Sequence, residues 1–132
     1  MDSGSTINGI APFFIVEDVQ RSVAFYRDKL GFDLWYLEPA DAPFFAMLGR
    51  GAAMLMLKAV GAAPSPNPTR HPDAKWDAYV SAADPDALHA DVTGRGVQPS
   101  VELGDTSEGL RGFEVTDPDG YVLFFGRPND RS

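Results

Sequence analysis

Few side chains in this sequence can do acid–base, nucleophilic or metal chemistry. There is no cysteine, which removes thiol nucleophiles, disulfides and zinc–thiolate sites and leaves the redox compartment open. There are two histidines. His71, in the string T-R-H-P-D, is either a surface-loop residue or a group that closes over a cavity mouth as a base or ligand contact. His89 follows Leu88 on a predicted helix and is expected to face solvent. The remaining charged candidates are Lys58, Asp77, Arg111 and Glu114. Lys58 and Asp77 could serve as acid and base if a pocket shifted their pKa values. A buried charge needs a partner, so the plainer reading pairs them with each other, with Arg111 or with Glu114. Arg111 is also a cation that could hold an anionic ligand group. No triad for nucleophilic catalysis is present, so no catalytic set is assigned. No phosphate-binding glycine loop is present either: Gly49-Arg50-Gly51 reads as a hairpin connection and Gly94-Arg95-Gly96 as a helix end.

A second set of residues could bind rather than react. Strand alternation points Ala11 and Phe13, Met54, Met56 and Lys58, Asp77 and Tyr79, and Val122 and Phe124 inward. Such an aromatic and methionine lining suits a flat or apolar small molecule, oriented by a few polar groups. The alternative is a filled cavity in which these side chains are ordinary core, methionine being a common gap-filler. Trp76, at the start of a strand, is either a stacking platform or half-buried packing. The ligand-binding set is therefore Phe13, Met54, Met56, Lys58, Trp76, Asp77, Tyr79, Arg111 and Phe124.

The elements that must position these residues follow from pattern. The stretch from Arg111 to Pro128 reads as two strands around a two-residue Asp119-Gly120 turn with positive φ angles, and Pro118 keeps Asp117 out of helix. Tyr121 to Phe125 is apolar throughout, so both faces of that last strand are expected to be buried. Ile10 to Val16 is a strand whose Pro12 marks an edge or a beginning. Asp18 caps a helix that places Val19, Val23, Tyr26 and Leu30 on one stripe, and Gly31 ends it. Strands follow at 32–37, 44–48 and 52–60. Residues 61–75, with Pro64, Pro66, Pro68 and Pro72, read as a linker or surface lid. The grammar then repeats. A strand covers 76–82, Asp84-Pro85 opens a helix, Gly96 closes it, and strands follow at 97–103, 110–115 and 121–125. Asp18 and Asp84 stand 66 positions apart, and Gly31 and Gly96 stand 65 apart, so the chain is an internal repeat of strand, helix and three strands. The divisions are a tail at 1–9, a first module at 10–60, the linker at 61–75, a second module at 76–128 and a tail at 129–132. Joined, the two modules predict an α+β fold: a curved eight-stranded mixed sheet around a cavity, with helices outside.

Composition narrows the partners. A chain of 132 residues suits one domain or two half-domains and can bury a stable core. Its net charge of −8 argues against nucleic acid, which needs a basic surface, and favours a cationic ligand. No apolar run reaches transmembrane length and the first residues are polar, so neither a membrane span nor a signal peptide is expected, and the cytoplasm is the default location.

The strings F-F-I-V-E-D-V-Q-R-S-V-A-F-Y-R-D-K-L-G-F, D-P-D-A-L and G-F-E-V-T-D-P-D-G-Y-V-L-F-F-G-R-P, in this two-fold order, resemble the vicinal oxygen chelate superfamily. That superfamily contains glyoxalase I, extradiol dioxygenases, fosfomycin resistance enzymes and bleomycin resistance proteins. The resemblance runs from Ile10 to Pro128. It implies the glyoxalase/bleomycin resistance/dihydroxybiphenyl dioxygenase-like fold, a homodimer, and cavities at module or subunit junctions. It also implies that a divalent ion, where one is bound, is held by side chains from the first and last strands of each module. In this sequence those positions are Ala11, Met56, Asp77 and Phe124. Only Asp77 suits a hard cation, and about three to six N or O donors are needed. A one-residue slip brings in Pro12, Leu55 or Leu57, and Leu123 or Phe125, none of which helps. The expectation is a small-molecule-binding protein without metal or other cofactor, similar to the bleomycin resistance branch, which sequesters its ligand. The alternatives are a lyase, isomerase or dioxygenase of the superfamily with non-standard or absent metal ligands, drawing on Asp77 and His71, and a protein-interaction module.

Overall fold

The first module begins with a strand limited by its proline. Pro12 has no N–H to give a ladder, but its carbonyl accepts from Met56 N at 3.0 Å. The strand β1 (Phe13–Ile15) then runs parallel to β4 (Ala53–Lys58), with Phe13 opposite Met56. The structure, a computed structural model, describes residues 4–129. Of the expected tails at 1–9 and 129–132, positions 1–3 and 130–132 lie outside the described residues. Helix α1 (Val19–Ala24) starts where the Asp18 carboxylate accepts from Arg21 N at 3.2 Å, supplying a partner to an otherwise orphaned donor. Its end widens into a π-helical turn (Phe25–Lys29), in which Leu30 N donates to Phe25 O at 3.3 Å. The predicted stripe Val19, Val23, Tyr26 and Leu30 is buried throughout. Gly31 reverses the chain with φ +70°, a conformation that costs a residue with a Cβ. Strands β2 (Asp33–Glu38) and β3 (Phe45–Arg50) follow, giving a four-stranded sheet in the order β1-β4-β3-β2.

Residues 61–75 are not featureless. They contain a one-turn helix, α2 (Asn67–Arg70), fastened at several points. Ser65 N donates to the Tyr121 hydroxyl at 3.4 Å, and Asn67 Nδ2 donates to Trp76 O at 3.1 Å. The second module repeats the first: β5 (Ala78–Ser81), α3 (Pro85–Gly94) capped by Asp84 on Ala87 N at 3.1 Å, then β6 (Val101–Asp105), β7 (Leu110–Thr116) and β8 (Val122–Pro128), in the order β5-β8-β7-β6. The expected α+β fold of two βαβββ modules is present, and its eight strands are hydrogen-bonded as two mixed sheets of four.

Three local expectations are corrected. The β3–β4 connection is Gly51-Ala52, not Gly49-Arg50-Gly51, because Arg50 already pairs with Ala53 across the ladder. The β7–β8 turn is a three-residue loop: Gly120 N donates to Asp117 O, Asp117 N donates to Tyr121 O, and only Gly120 has positive φ. Strand β6 starts at Val101 rather than Val97. Val97 N is spent closing α3 on Val92 O, and Pro99 has no N–H to offer.

One apolar core serves both modules. Phe14 stacks on Tyr121 with ring centroids 4.2 Å apart. The β7–β8 loop docks on α1: the Asp119 carboxylate accepts from Arg21 Nη2 at 2.8 Å, Ser22 Oγ at 3.1 Å and Glu17 N at 3.2 Å. Beneath it Tyr26, fully buried, donates to Asp117 Oδ2 at 2.6 Å. Burial pushes the Tyr26 phenol well up, and the neighbouring Asp117 charge adds to this. Burial also raises Asp117, against the opposing pull of its Tyr26, Tyr121 and Asp119 hydrogen bonds. Among the described residues no helix is long and apolar enough to cross a membrane.

Candidate functional site

The parallel pairing of β5 with β8 sets Tyr79 beside Phe124. The Phe124 ring lies flat in a trough made by two glycines that face each other across β7 and β8. A Cβ built at Gly112 would come within 2.6 Å of that ring, and one at Gly126 within 2.5 Å. Trp76 covers the ring at 4.4 Å and 21°, and Tyr79 flanks it at 5.6 Å and 26°. The indole is held in place from β7: Trp76 Nε1 donates to Glu114 Oε2 at 2.8 Å. A carboxylate acceptor makes this a strong, directional bond. Phe124 is thereby sealed from solvent, Trp76 is half-buried and Tyr79 is exposed. The outward layer is a Trp–Tyr surface with Phe124 as its support.

The matching face of the first module is looser. Phe13, Met56 and Met47 are register neighbours across β1, β4 and β3, and Tyr36 of β2 lies opposite Met47. Phe45 stands 6.0 Å from Phe13 and 6.1 Å from Tyr36. Tyr36 donates to Glu38, which raises its phenol pKa. Lys58 extends its ammonium over the Phe44 ring at 5.7 Å, a cation–π contact. Trp35 lies over Gly49, where an added Cβ would come within 2.0 Å of the indole.

The remaining predicted residues are dispersed. Met54 and Tyr79 border a cavity of about 710 Å³ at the seam between the modules. Asp77 does not pair with Lys58: its Oδ1 accepts from Asn67 N at 2.7 Å and its Oδ2 from Val122 N at 2.8 Å. The carboxylate therefore pins the linker to the start of β8. Arg111 is not brought to the site. It shares a strand face with Phe113 and Val115 and forms a two-pronged pair with Asp86 of α3, plus a contact to Asp105. The Asp86 hydrogen bond raises the guanidinium pKa and lowers that of Asp86. His71 is exposed, its Nδ1 accepting from Asp73 N at 3.0 Å. His89 does not simply face solvent. It is half-buried, edge-on to Phe113 at 5.2 Å, with Nε2 3.2 Å from Glu102.

Trp35, Tyr36, Phe45 and Met47 lie on β2 and β3, the two middle strands of the module in chain order, and are not among the residues expected to line a site. Phe45 and Met47 carried a signal, both sitting in an alternating run. Trp35 and Tyr36 did not, because a bulge between Leu34 and Tyr36 breaks the parity and leaves two successive residues exposed.

A metal does not fit these residues. Of Ala11, Met56, Asp77 and Phe124, one alone offers hard oxygens, and both are occupied by backbone N–H groups. Among the described residues no group of three or more His, Cys, Asp or Glu is placed to hold an ion.

A family model described as the Glyoxalase/Bleomycin resistance protein/Dioxygenase superfamily matches residues 6–125. The chain belongs to that superfamily. Solved structures agree in fold. TioX from Micromonospora sp. ML1 is 23% identical with a TM-score of 0.71, over 90% of this chain and 97% of its own. The bleomycin-binding protein of Streptomyces verticillus, complexed with copper(II)-bleomycin, is 27% identical with a TM-score of 0.64, over 89% and 93%. TnmS3, an antibiotic-binding protein from Streptomyces sp. CB03234, is 23% identical with a TM-score of 0.64, over 91% and 96%. A comparison with curated proteins gave no match.

Proposed function

We propose that this member of the superfamily binds and sequesters a flat, aromatic small molecule of net positive charge, without a metal, as a homodimer. The observation that carries the reading is the Trp76 indole, stacked on Phe124, flanked by Tyr79 and braced by Glu114. A rigid aromatic surface that is already ordered loses little entropy when a planar ligand stacks on it. The net charge of −8 favours a cation at long range, and the bleomycin-binding and antibiotic-binding neighbours are consistent with this class of ligand. The four positions from which the superfamily draws its metal ligands lack the donors for the usual metal-dependent chemistry. Exposed Phe13, Trp35 and Tyr36 on the first module offer apolar area of the kind that a second copy covers.

The test is a thermal-shift screen against planar cationic and neutral aromatic antibiotics, followed by calorimetric titration of Trp76→Ala. A ligand that raises the melting point in the parent should bind the variant at least tenfold more weakly, a loss of about 1.4 kcal/mol. Equal affinity would reduce Trp76 to a packing residue, and stoichiometric transition metal in fresh protein would overturn the metal-free reading. Light scattering at twice the 14.3 kDa chain mass is expected, and a monomer at micromolar concentration would remove the dimer from the proposal.

A further inference from the structure

The seam cavity is distinct in chemistry from the Trp76 surface. Its floor is formed by Leu55, Leu123 and Phe125, which face the core, and one wall is Leu88 of α3. Small side chains create the space: Ala53 of β4 lines one side and Ala87 of α3 another, with Ala78 and Ala82 on the chain around β5. A volume of about 710 Å³ lies within the range of small-molecule sites.

The charged groups at its border already have partners. Arg50 Nη1 donates to Leu30 O at 2.9 Å and to Asp91 Oδ2 at 3.0 Å. The Asp84 carboxylate caps α3 on Ala87 N at 3.1 Å. A charged ligand would have to break one of these contacts or bury its charge against carbon, which is strongly unfavourable. The polar opportunities that remain lie on β5, whose Tyr79 and Ser81 also carry hydroxyls at the border. Strand β5 stands at the end of its sheet, so one edge of its backbone presents N–H and C=O groups without a neighbouring strand, and Ala78 to Ser81 border the cavity.

We propose that the seam cavity is a second small-molecule site, for a neutral, mainly hydrocarbon molecule that places a single polar group against the β5 edge. The site does not depend on the reading of the Trp76 surface. Because β4 belongs to the first module and β5, α3 and β8 to the second, an occupant touches both and holds them together.

The probe is N-phenyl-1-naphthylamine, a neutral naphthalene whose fluorescence rises in apolar surroundings. Titration should saturate at one probe per chain and raise the melting point with probe concentration, by mass action. Ala87→Trp and Ala53→Phe, filling the cavity from different walls, should each weaken probe binding at least tenfold. Ala87 is exposed, so its variant should fold even if Ala53→Phe does not. Trp76→Ala should leave the probe affinity within about twofold. Absence of saturable binding overturns the proposal, including the case of a dimer whose partner copy fills the seam. Full binding by the folded cavity-filling variants overturns it, as does loss of binding in Trp76→Ala, which would place the probe on the aromatic surface instead.

Discussion

Gly126→Ala adds one methyl group at the point where fold and candidate site meet. The new Cβ would lie 2.5 Å from Arg111 O and 2.5 Å from the Phe124 ring. Ordinary contact needs about 3.5 Å, so roughly 1 Å of overlap must be relieved on each side. Arg111 O belongs to the paired backbone of β7 and cannot turn away as a side-chain tip can. Either β7 and β8 separate locally or Phe124 lifts from its trough. Overpacking of this kind costs about 1–3 kcal/mol, and a chain of this length should lose about 3–5 °C of melting temperature per kcal/mol. Lifting Phe124 also tilts Trp76 off its hydrogen bond to Glu114, so stability and indole environment should change together. The assay is thermal unfolding by circular dichroism at fixed protein concentration, with Trp fluorescence in a Trp35→Phe background so that Trp76 alone reports. Gly104→Ala is the control. Its Cβ would meet nothing closer than 4.0 Å, and at compatible backbone angles Gly→Ala raises stability by about 0.4–1 kcal/mol through the unfolded chain. If Gly126→Ala melts with or above Gly104→Ala, and its emission matches the parent, the trough does not constrain Phe124 and the account of the site is wrong.

Asp119→Ala removes the acceptor for Arg21, Ser22 and Glu17 N. Arg21 can turn to water but the buried Ser22 hydroxyl cannot, so urea unfolding should show a loss of about 2–4 kcal/mol; a loss below about 0.5 kcal/mol would mean the loop does not anchor the modules. Asp117 is raised by burial, so the folded state holds its proton more tightly than the unfolded chain. Its contribution is complete below the ordinary carboxylate pKa of about 4 and is lost as pH rises through the higher folded value. The stability difference between Asp117→Asn and the parent should therefore shift toward the variant with rising pH across that window, and a difference that stays flat from about pH 4 to 7 contradicts the assignment. Asp91 is lowered, first by its Arg50 hydrogen bond, so its contribution holds above about pH 4 and fades as pH falls; Asp91→Asn should flatten the acid limb of the parent's stability curve. Dialysis against EDTA should leave the melting point unchanged, and a drop reversed by one added divalent ion would show a metal site that these residues do not explain.

Local chemistry was enough to read the repeat. Asp18 and Asp84 cap their helices and Gly31 and Gly96 take positive φ, because capping and left-handed turns depend on one residue and its near neighbours. The buried stripe of α1 and the two-sided burial of β8 followed from periodicity alone. The family resemblance, not periodicity, singled out Ala11, Met56, Asp77 and Phe124, and neither alanine nor phenylalanine offers a metal a donor in any fold. Arg111 was legible as well: it has the same parity as Phe113 and Val115, which places it on the helix side, where it pairs with Asp86.

Other outcomes needed the assembled chain. Asp77 is a staple for the linker only because Asn67 N and Val122 N, 10 and 45 positions away, converge on its two oxygens. Glu114 meets Trp76 across 38 positions, and Gly112 and Gly126 become a trough only when β7 and β8 pair in one register. The seam cavity exists because two modules pack with alanines where their edges meet. Pairing register and module packing are set by the sum of many weak contacts between distant segments, and no window of sequence contains that sum.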